Sequence, residues 1–466
     1  MTEYIFPRRI VDVRCQRGEE NLLKKQPLQL GLAETVTTVF DKGDFVILDF
    51  GLELCGGLRI LTVSAADLPV RLRFGESLTE CCAALGGPQN ATNDHALRDF
   101  SVRLTLWSDM TFGNTGFRFV RLDFSGRAEV KCLAAVNHIL KKRPLCRYDC
   151  PDKTIERIWN TAKRTIDLCA SGGYVWDGIK RDRLVWIGDM HPEMLALTTL
   201  YGRLPAIERS LDFVKNQTPL PGWMNGYPMY SMWWIIILAD YGEITGAEDY
   251  VKRQIPYLVD LVRQMLDCVR DDGTLDYPSY FVDWPTHDTP DEIHGVRAIN
   301  ILAAKKAAAL LKKFGNDPVP AEEMLARLLK TQISPQKSKQ VLGLKHFATG
   351  LSAQDRERLT EGGAAGMSTF MSYYILKAVA SFDKAAAIAM MKEYYGAMLD
   401  KGATTFWEDF DIRWAENAGS IDTFPRQGQK DIHGDFGAWC YTGFRHSLCH
   451  GWSAGVLRFI REECMD

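Results

Sequence analysis

The sequence contains no uncharged apolar run of about 18 residues, which excludes a membrane-spanning helix. It has no basic excess. The 56 Lys and Arg against 59 Asp and Glu give a formal net charge of −3, so the positive stripe of a nucleic-acid binder is missing. Its 12 cysteines form no CxxC pair and no Cys/His spacing of a zinc site, and no D-x-D-x-D-G calcium loop occurs. Neither a metal nor an organic cofactor is expected. The opening MTEYIFPRRIVDVR lacks the apolar core of a secretory leader. Most cysteines lie in apolar runs, as Cys169 does in IDLCA, so free buried thiols in a reducing compartment are expected, with the cytoplasm as location. No 30–45-residue repeat is visible, which argues against a helical solenoid.

What is present suits two domains: 466 residues, 46% hydrophobic and 25% charged. Up to about residue 145 the chain reads as β. VILDFG (45–50), LRILTV (58–63), VRLRFG (70–75), SVRLTLW (101–107), FRFVRLDF (117–124) and EVKCLAAV (129–136) are short, rich in β-branched and aromatic residues, and separated by Gly/Asp/Asn clusters. Val102, Leu104 and Leu106 alternate as on one strand face. Strands without intervening helices predict a β-sandwich over 1–145. The Pro-containing stretch KKRPLCRYDCPDK then leads to an N-cap at Asp152. Beyond it ten to twelve helices are expected, with candidates at 153–169, 190–201, 204–216, 230–241, 255–269, 289–313, 319–332, 364–380, 382–398 and 447–462. A toroid of paired helices over 146–466 would gather the long loops at one end of a central cavity.

Those loops hold the chemistry. Eleven of the 12 tryptophans follow residue 150, several beside acids: Trp176-Asp177, Asp283-Trp284, Trp407-Glu408-Asp409. Sugars have CH faces that stack on indoles and hydroxyls that need carboxylate and Arg partners, so the pattern predicts a carbohydrate site. Trp176–Asp189 is densest, with three aspartates, three basic residues, two glycines and two tryptophans in 14 residues. A general acid there needs burial or a nearby carboxylate to outweigh Lys180, Arg181 and Arg183. Glu408, flanked by Trp407 and Phe410, is expected inside a cleft. Two carboxylates converging from distant segments are what glycoside hydrolysis requires. Near the end, His446 and His450 stand at i, i+4, expected on one face of the final helix. Without a third ligand this is a weak metal signal. Cys449 adjoins His450, but helix neighbours do not face each other.

Together these stretches resemble the α-L-rhamnosidases of glycoside hydrolase family 78. The family's D-x-x-x-R-D-(E)-R-x-x-W-x-G-D loop is matched by Asp177 through Asp189. Its T-T-x-W-E segment is matched by Thr404, Thr405, Trp407 and Glu408, and its late S-L-x-H by Ser447, Leu448 and His450. LDFGLELCGGLRI, RLRFGESL and GFRFVRLDF are similar to its leading β-sandwich. The resemblance covers almost the whole chain. It implies an (α/α)6 barrel that removes terminal α-L-rhamnosyl groups, or a related deoxysugar, with inversion. Glu408 maps to the general base. Asp177 and Asp189 map to hydroxyl-binding carboxylates, Arg181, Trp186 and His450 to the pocket, Asp283-Trp284 to the G-D-W segment, and Trp407 to a pocket wall. Two departures stand out. Many members read R-D-E-R, with the glutamate as acid, whereas this chain reads Arg181-Asp182-Arg183, which leaves Asp182 as the acid. The chain also stops soon after the last helix, where members commonly continue into a C-terminal β-domain; an uncovered barrel face admits a homo-oligomer. A carbohydrate partner is implied, with neither nucleic acid nor membrane. Two other readings stay open: a catalytically silent carbohydrate-binding protein that kept the pocket, and another enzyme on the same barrel, either a second kind of glycosidase or a phosphate-dependent one.

Overall fold

The computed structural model describes residues 2–65, 67, 69–148 and 151–465. Eight antiparallel strands come first: β1 Thr2–Ile5, β2 Arg9–Arg14, β3 Thr38–Phe40, β4 Phe45–Ala65, β5 Pro69–Gly75, β6 Asp99–Arg103, β7 Ser108–Phe124 and β8 Ala128–His138. Their order is β1-β8-β4-β7-β5-β6, with β2 also on β4 and β3 on β8. The expected strands at 45–50 and 58–63 are one strand, β4. It pairs with β2 and β7 in its first part and with β7 and β8 in its second, with register breaks between. Breaks of this kind let one strand bend without leaving the ladder.

The expected strand at 101–107 ends at Arg103. Val102 and Leu104 are buried as their alternation requires, but Leu106 is 61% exposed. The chain turns here into β7, with Trp107 at φ 44°. Turn geometry overrides a two-residue period once the ladder stops.

The helices are α1 Leu78–Cys82, α2 Lys153–Cys169, α3 Met190–Tyr201, α4 Pro205–Gln217, α5 Pro228–Thr245, α6 Glu248–Asp267, α7 Glu292–Lys313, α8 Val319–Leu328, α9 Lys339–Ala348, α10 Ala353–Thr360, α11 Ser372–Ala380, α12 Lys384–Asp400 and α13 Val456–Glu463. Asp152 caps α2, accepting from the N–H groups of Thr154 and Ile155. Helix α3 packs on α5, α5 on α7, α7 on α9 and α9 on α11. Helix α11 meets α13 and the 3-10 turn Gly451–Gly455, and these return to α3. The contacts thus close on themselves. Every residue of α3 is buried, as befits a helix enclosed on all sides. Outside this ring, α12 packs on α11 and α2, α6 on α5, α7 and α8, and α10 on α9 and α11.

The eleven described cysteines are all free. Among the described residues no helix is long and apolar enough to cross a membrane.

Candidate active site

A cavity of about 110 Å³ opens among segments that each precede a helix or turn of the ring: 177–189 before α3, 227–230 at the start of α5, 281–285 before α7, 368–370 before α11, and 440–452 before α13. Asp177, Arg181, Asp182, Trp186, Asp189, Asp283, Trp284, Glu408 and His450 all line it. These nine of the ten residues expected at the site come from four separated stretches of chain.

Local hydrogen bonds hold the acidic loop in place. Asp177 Oδ1 accepts from the Leu184 N–H at 2.9 Å, and the Asp177 carbonyl accepts from the Gly451 N–H at 2.6 Å. Gly178 pairs with His450 across an antiparallel bridge. A Cβ on Gly188 would lie 2.3 Å from the Tyr230 ring, so only glycine lets that ring approach; the Tyr230 hydroxyl donates to Asp189 Oδ1 at 3.4 Å.

Beneath the loop, Lys180 is fully buried, 2.7 Å from Glu80 Oε1 and 3.4 Å from Glu76 Oε2. It also donates to the carbonyls of Phe444 and His446. Glu76, Glu80 and His433 have ligand atoms close enough to share an ion, but the ammonium of Lys180 already supplies the positive charge. Glu76 Oε2 accepts from the Leu448 N–H at 2.6 Å, so the sheet region braces the late segment directly.

Glu408 is 2% exposed. Its Oε1 accepts from Arg181 Nη2, and its Oε2 accepts from the Ser447 N–H at 3.0 Å. Burial raises its pKa, and Arg181 with the Ser447 N–H pull back only in part. Burial disfavours the charge of Arg181, but Glu408 and Asp182 keep the guanidinium ionised. Asp182 is less enclosed. Its Oδ2 accepts from Trp186 Nε1 at 3.2 Å, and its Oδ1 lies 3.6 Å from Arg181 Nε. One guanidinium therefore touches both carboxylates.

Asp177 and Asp189 are pushed well above the usual carboxylate range. Burial is the main cause in both, followed by repulsion from Asp182 and Asp189 at Asp177, and from Glu408 and Asp182 at Asp189. Asp283, held by the Thr286 N–H at 3.0 Å, is raised by burial to about 6. His450 Nε2 stands 3.7 Å from Glu408 Oε1 and 4.0 Å from an oxygen of each of Asp177 and Asp189. Burial keeps its ring neutral. The result is a cluster of carboxyl groups around one guanidinium, with rings for walls. Trp186 meets Tyr230 edge-on at 6.1 Å, and Trp284 meets Phe281 at 5.2 Å and Tyr441 at 6.0 Å.

No family model and no curated protein sequence matches this chain. Solved structures do. A rhamnosidase from Klebsiella oxytoca with rhamnose bound superposes with a TM-score of 0.75 at 20% identity, over 100% of this chain and 96% of that one. This chain has the rhamnosidase fold. The GH78 rhamnosidase of Bacillus sp. GL1 gives 0.69 at 18% identity, covering 95% of this chain and 48% of that one. The α-L-rhamnosidase of Aspergillus terreus gives 0.64 at 16%, covering 91% and 53%. The chain spans about half the length of these last two.

On the rhamnosidase fold, two expectations about the site fail. Trp407 is not a pocket wall. It is 1% exposed, with its ring edge-on to Phe410 at 5.5 Å. The cause is alternation: residues 406–408 pair with 447–450 through Glu408 N–H to the Ser447 carbonyl and His450 N–H to the Phe406 carbonyl. With Glu408 turned into the cavity, its neighbour turns away. His446 and His450 also do not share a helix face. The helix expected from 447 begins only after the 3-10 turn, and His450 is extended at φ −134°. His446 points elsewhere, its Nε2 accepting from the Asp409 N–H at 2.8 Å.

Sequence reasoning passed over Tyr227, Tyr230, Ser368, Asp409, Tyr441 and Trp452, which also line the cavity. Asp409 had a signal, as the residue after Glu408. Tyr230 sits in an apolar helical stretch that reads as plain core, whereas Tyr227 and Tyr441 stand in loops with no pattern to mark them.

Proposed function

We propose that this chain is a member of glycoside hydrolase family 78, an exo-acting α-L-rhamnosidase working with inversion. The carrying observation is that Asp182 and Glu408, 226 residues apart in the sequence, face one ring-walled cavity and touch the same Arg181. Two contacts on a single guanidinium suit the gap of roughly 6.5–9.5 Å that an inverting pair needs to admit a water.

In this reading Asp182 protonates the glycosidic oxygen as the C–O bond breaks. Glu408 takes a proton from the water that attacks the opposite face of the ring. Arg181 opposes the burial penalty on the Glu408 carboxylate, and the Ser447 N–H fixes its orientation. Asp177, Asp189, Asp283 and His450 hold sugar hydroxyls, as donors where protonated and acceptors where not. Trp186 and Trp284 pack on the apolar ring faces. The closed helix contacts support an (α/α)6 barrel over 146–466, and the bent, bulged strands support a β-sandwich over 1–145. The free thiols fit a reducing compartment such as the cytoplasm.

The test is incubation with an aryl α-L-rhamnoside beside aryl glycosides of other sugars. Release from the rhamnoside alone, or far above the rest, is expected. Release from none of the panel would favour the silent binder, and phosphate-dependent release a phosphorolytic enzyme.

A further inference from the structure

Asp182 has a partner from the other end of the chain. His95, in the segment between α1 and β6, places Nδ1 3.2 Å from Asp182 Oδ1. Both residues are in left-handed backbone, at φ 65° and 51°. That conformation is strained for a non-glycine residue and persists only where the surroundings impose it. Here three contacts clamp the segment onto the late loops. Arg445 Nε donates to Asp94 Oδ2 at 2.7 Å, the Phe444 N–H donates to the Gln89 carbonyl at 2.7 Å, and Asn90 Nδ2 donates to the Thr442 carbonyl at 3.2 Å. The His95 side chain is 34% exposed, with Nε2 3.7 Å from Asp94 Oδ2. One ring nitrogen meets the acid while part of the ring meets water.

We infer that His95 is a positioning residue and proton relay for Asp182; this rests on reading Asp182 as the general acid. The groups facing Asp182 are Arg181 and Trp186 from its own loop and the carboxylates of Asp177, Asp189 and Glu408 around the cavity, with Asp94 and Arg445 behind His95. His95 joins a ring nitrogen 3.2 Å from Asp182 Oδ1 to a side chain that is 34% exposed, so it links the carboxyl to water. Histidine is the side chain suited to taking up and giving a proton near neutrality. In one turnover Asp182 loses its proton to the leaving oxygen, and Glu408 gains one from the attacking water. Glu408 then releases its proton to solvent. Asp182 is recharged when the Nδ1 proton of His95 passes to Oδ1 as Nε2 takes one from water; exchange with solvent, losing the Nε2 proton and regaining one at Nδ1, then restores the starting tautomer. Protons balance over the cycle.

The test compares wild type with His95→Ala and His95→Gln on methyl α-L-rhamnoside and 4-nitrophenyl α-L-rhamnoside. A nitrophenolate departs without protonation, whereas methoxide needs the acid. His95→Ala and His95→Gln are each expected to lower kcat on the methyl glycoside by at least ~10-fold, with KM little changed and the nitrophenyl rate within about twofold. Added imidazole is expected to restore part of the loss in His95→Ala. Equal loss on both substrates, or no loss on either, overturns the relay while the rhamnosidase reading stands. Wild type inert on both rhamnosides overturns both.

Discussion

Arg181 donates through Nη2 to Oε1 of Glu408, a residue 227 positions further along the chain. The same guanidinium lies 3.6 Å from Asp182. A buried cation thus lies between two carboxylates of different exposure. Glu408 is enclosed, paired with Arg181 and oriented by the Ser447 N–H. Asp182 is nearer solvent and accepts from the neutral indole of Trp186. The ordering of the two groups follows from which of them Arg181 contacts more closely.

Replacing Glu408 by Gln keeps the hydrogen-bonding shape but removes the carboxylate proposed as the base. We predict a loss of kcat of ~10²–10⁴-fold on an aryl rhamnoside, with L-rhamnose binding by calorimetry within a few-fold of wild type. Unchanged turnover would remove Glu408 from the mechanism.

Arg181→Met takes away the charge that opposes the burial of Glu408. The pKa of Glu408 is already raised by burial, and loss of the cation raises it further. A base must be deprotonated, so the acid limb of kcat/KM moves to higher pH, by about 1–3 units. A limb that stays in place, measured from pH 4 to 9, would show that Glu408 does not set it.

Asp409 is pushed up to about 7 by burial and then by the charge of Glu408. Its folded pKa therefore exceeds its unfolded value of 3.8. The folded state binds the extra proton between these values, so this group's contribution is fullest below pH 3.8 and is lost as pH rises to 7. Asp409→Asn is expected to gain stability relative to wild type across that window, by on the order of a few kcal/mol. Urea unfolding of both proteins at pH 4 and pH 7 reads the difference. The neutral His446 and His450 act with the opposite sign but are present in both proteins and cancel.

Trp284 lines the cavity wall, and in the proposed mechanism it offers binding area without touching a reacting group. Trp284→Ala should raise KM by ~2–10-fold, from an aromatic contact of about 0.5–1.5 kcal/mol, while kcat changes less than about twofold. A selective loss of kcat would instead place the indole in the transition state.

Much of this site was legible in the sequence because its residues are crowded into short stretches. Asp177, Arg181, Asp182, Trp186 and Asp189 fall within 13 positions, and the Gly188-Asp189 pair carries its own packing reason. The helices were legible where one face is apolar, as in α6, or where all are, as in α3. What escaped depends on geometry between distant segments. The turn of Trp407 away from the cavity follows from the pairing of 406–408 with 447–450, which no local pattern announces. His95 sits in a polar stretch that reads as an ordinary surface loop, and only the clamp by Arg445 and Phe444 brings it to Asp182. The i, i+4 spacing of His446 and His450 suggested a helix, but Glu76 and Glu408 claim the backbone N–H groups of Leu448 and Ser447 and hold the segment extended.

The most direct measurement is proton NMR of the sugar first released from 4-nitrophenyl α-L-rhamnoside, recorded before mutarotation. Direct attack by a water activated at Glu408 predicts the β anomer first. The α anomer appearing first, or no sugar at all, would contradict it.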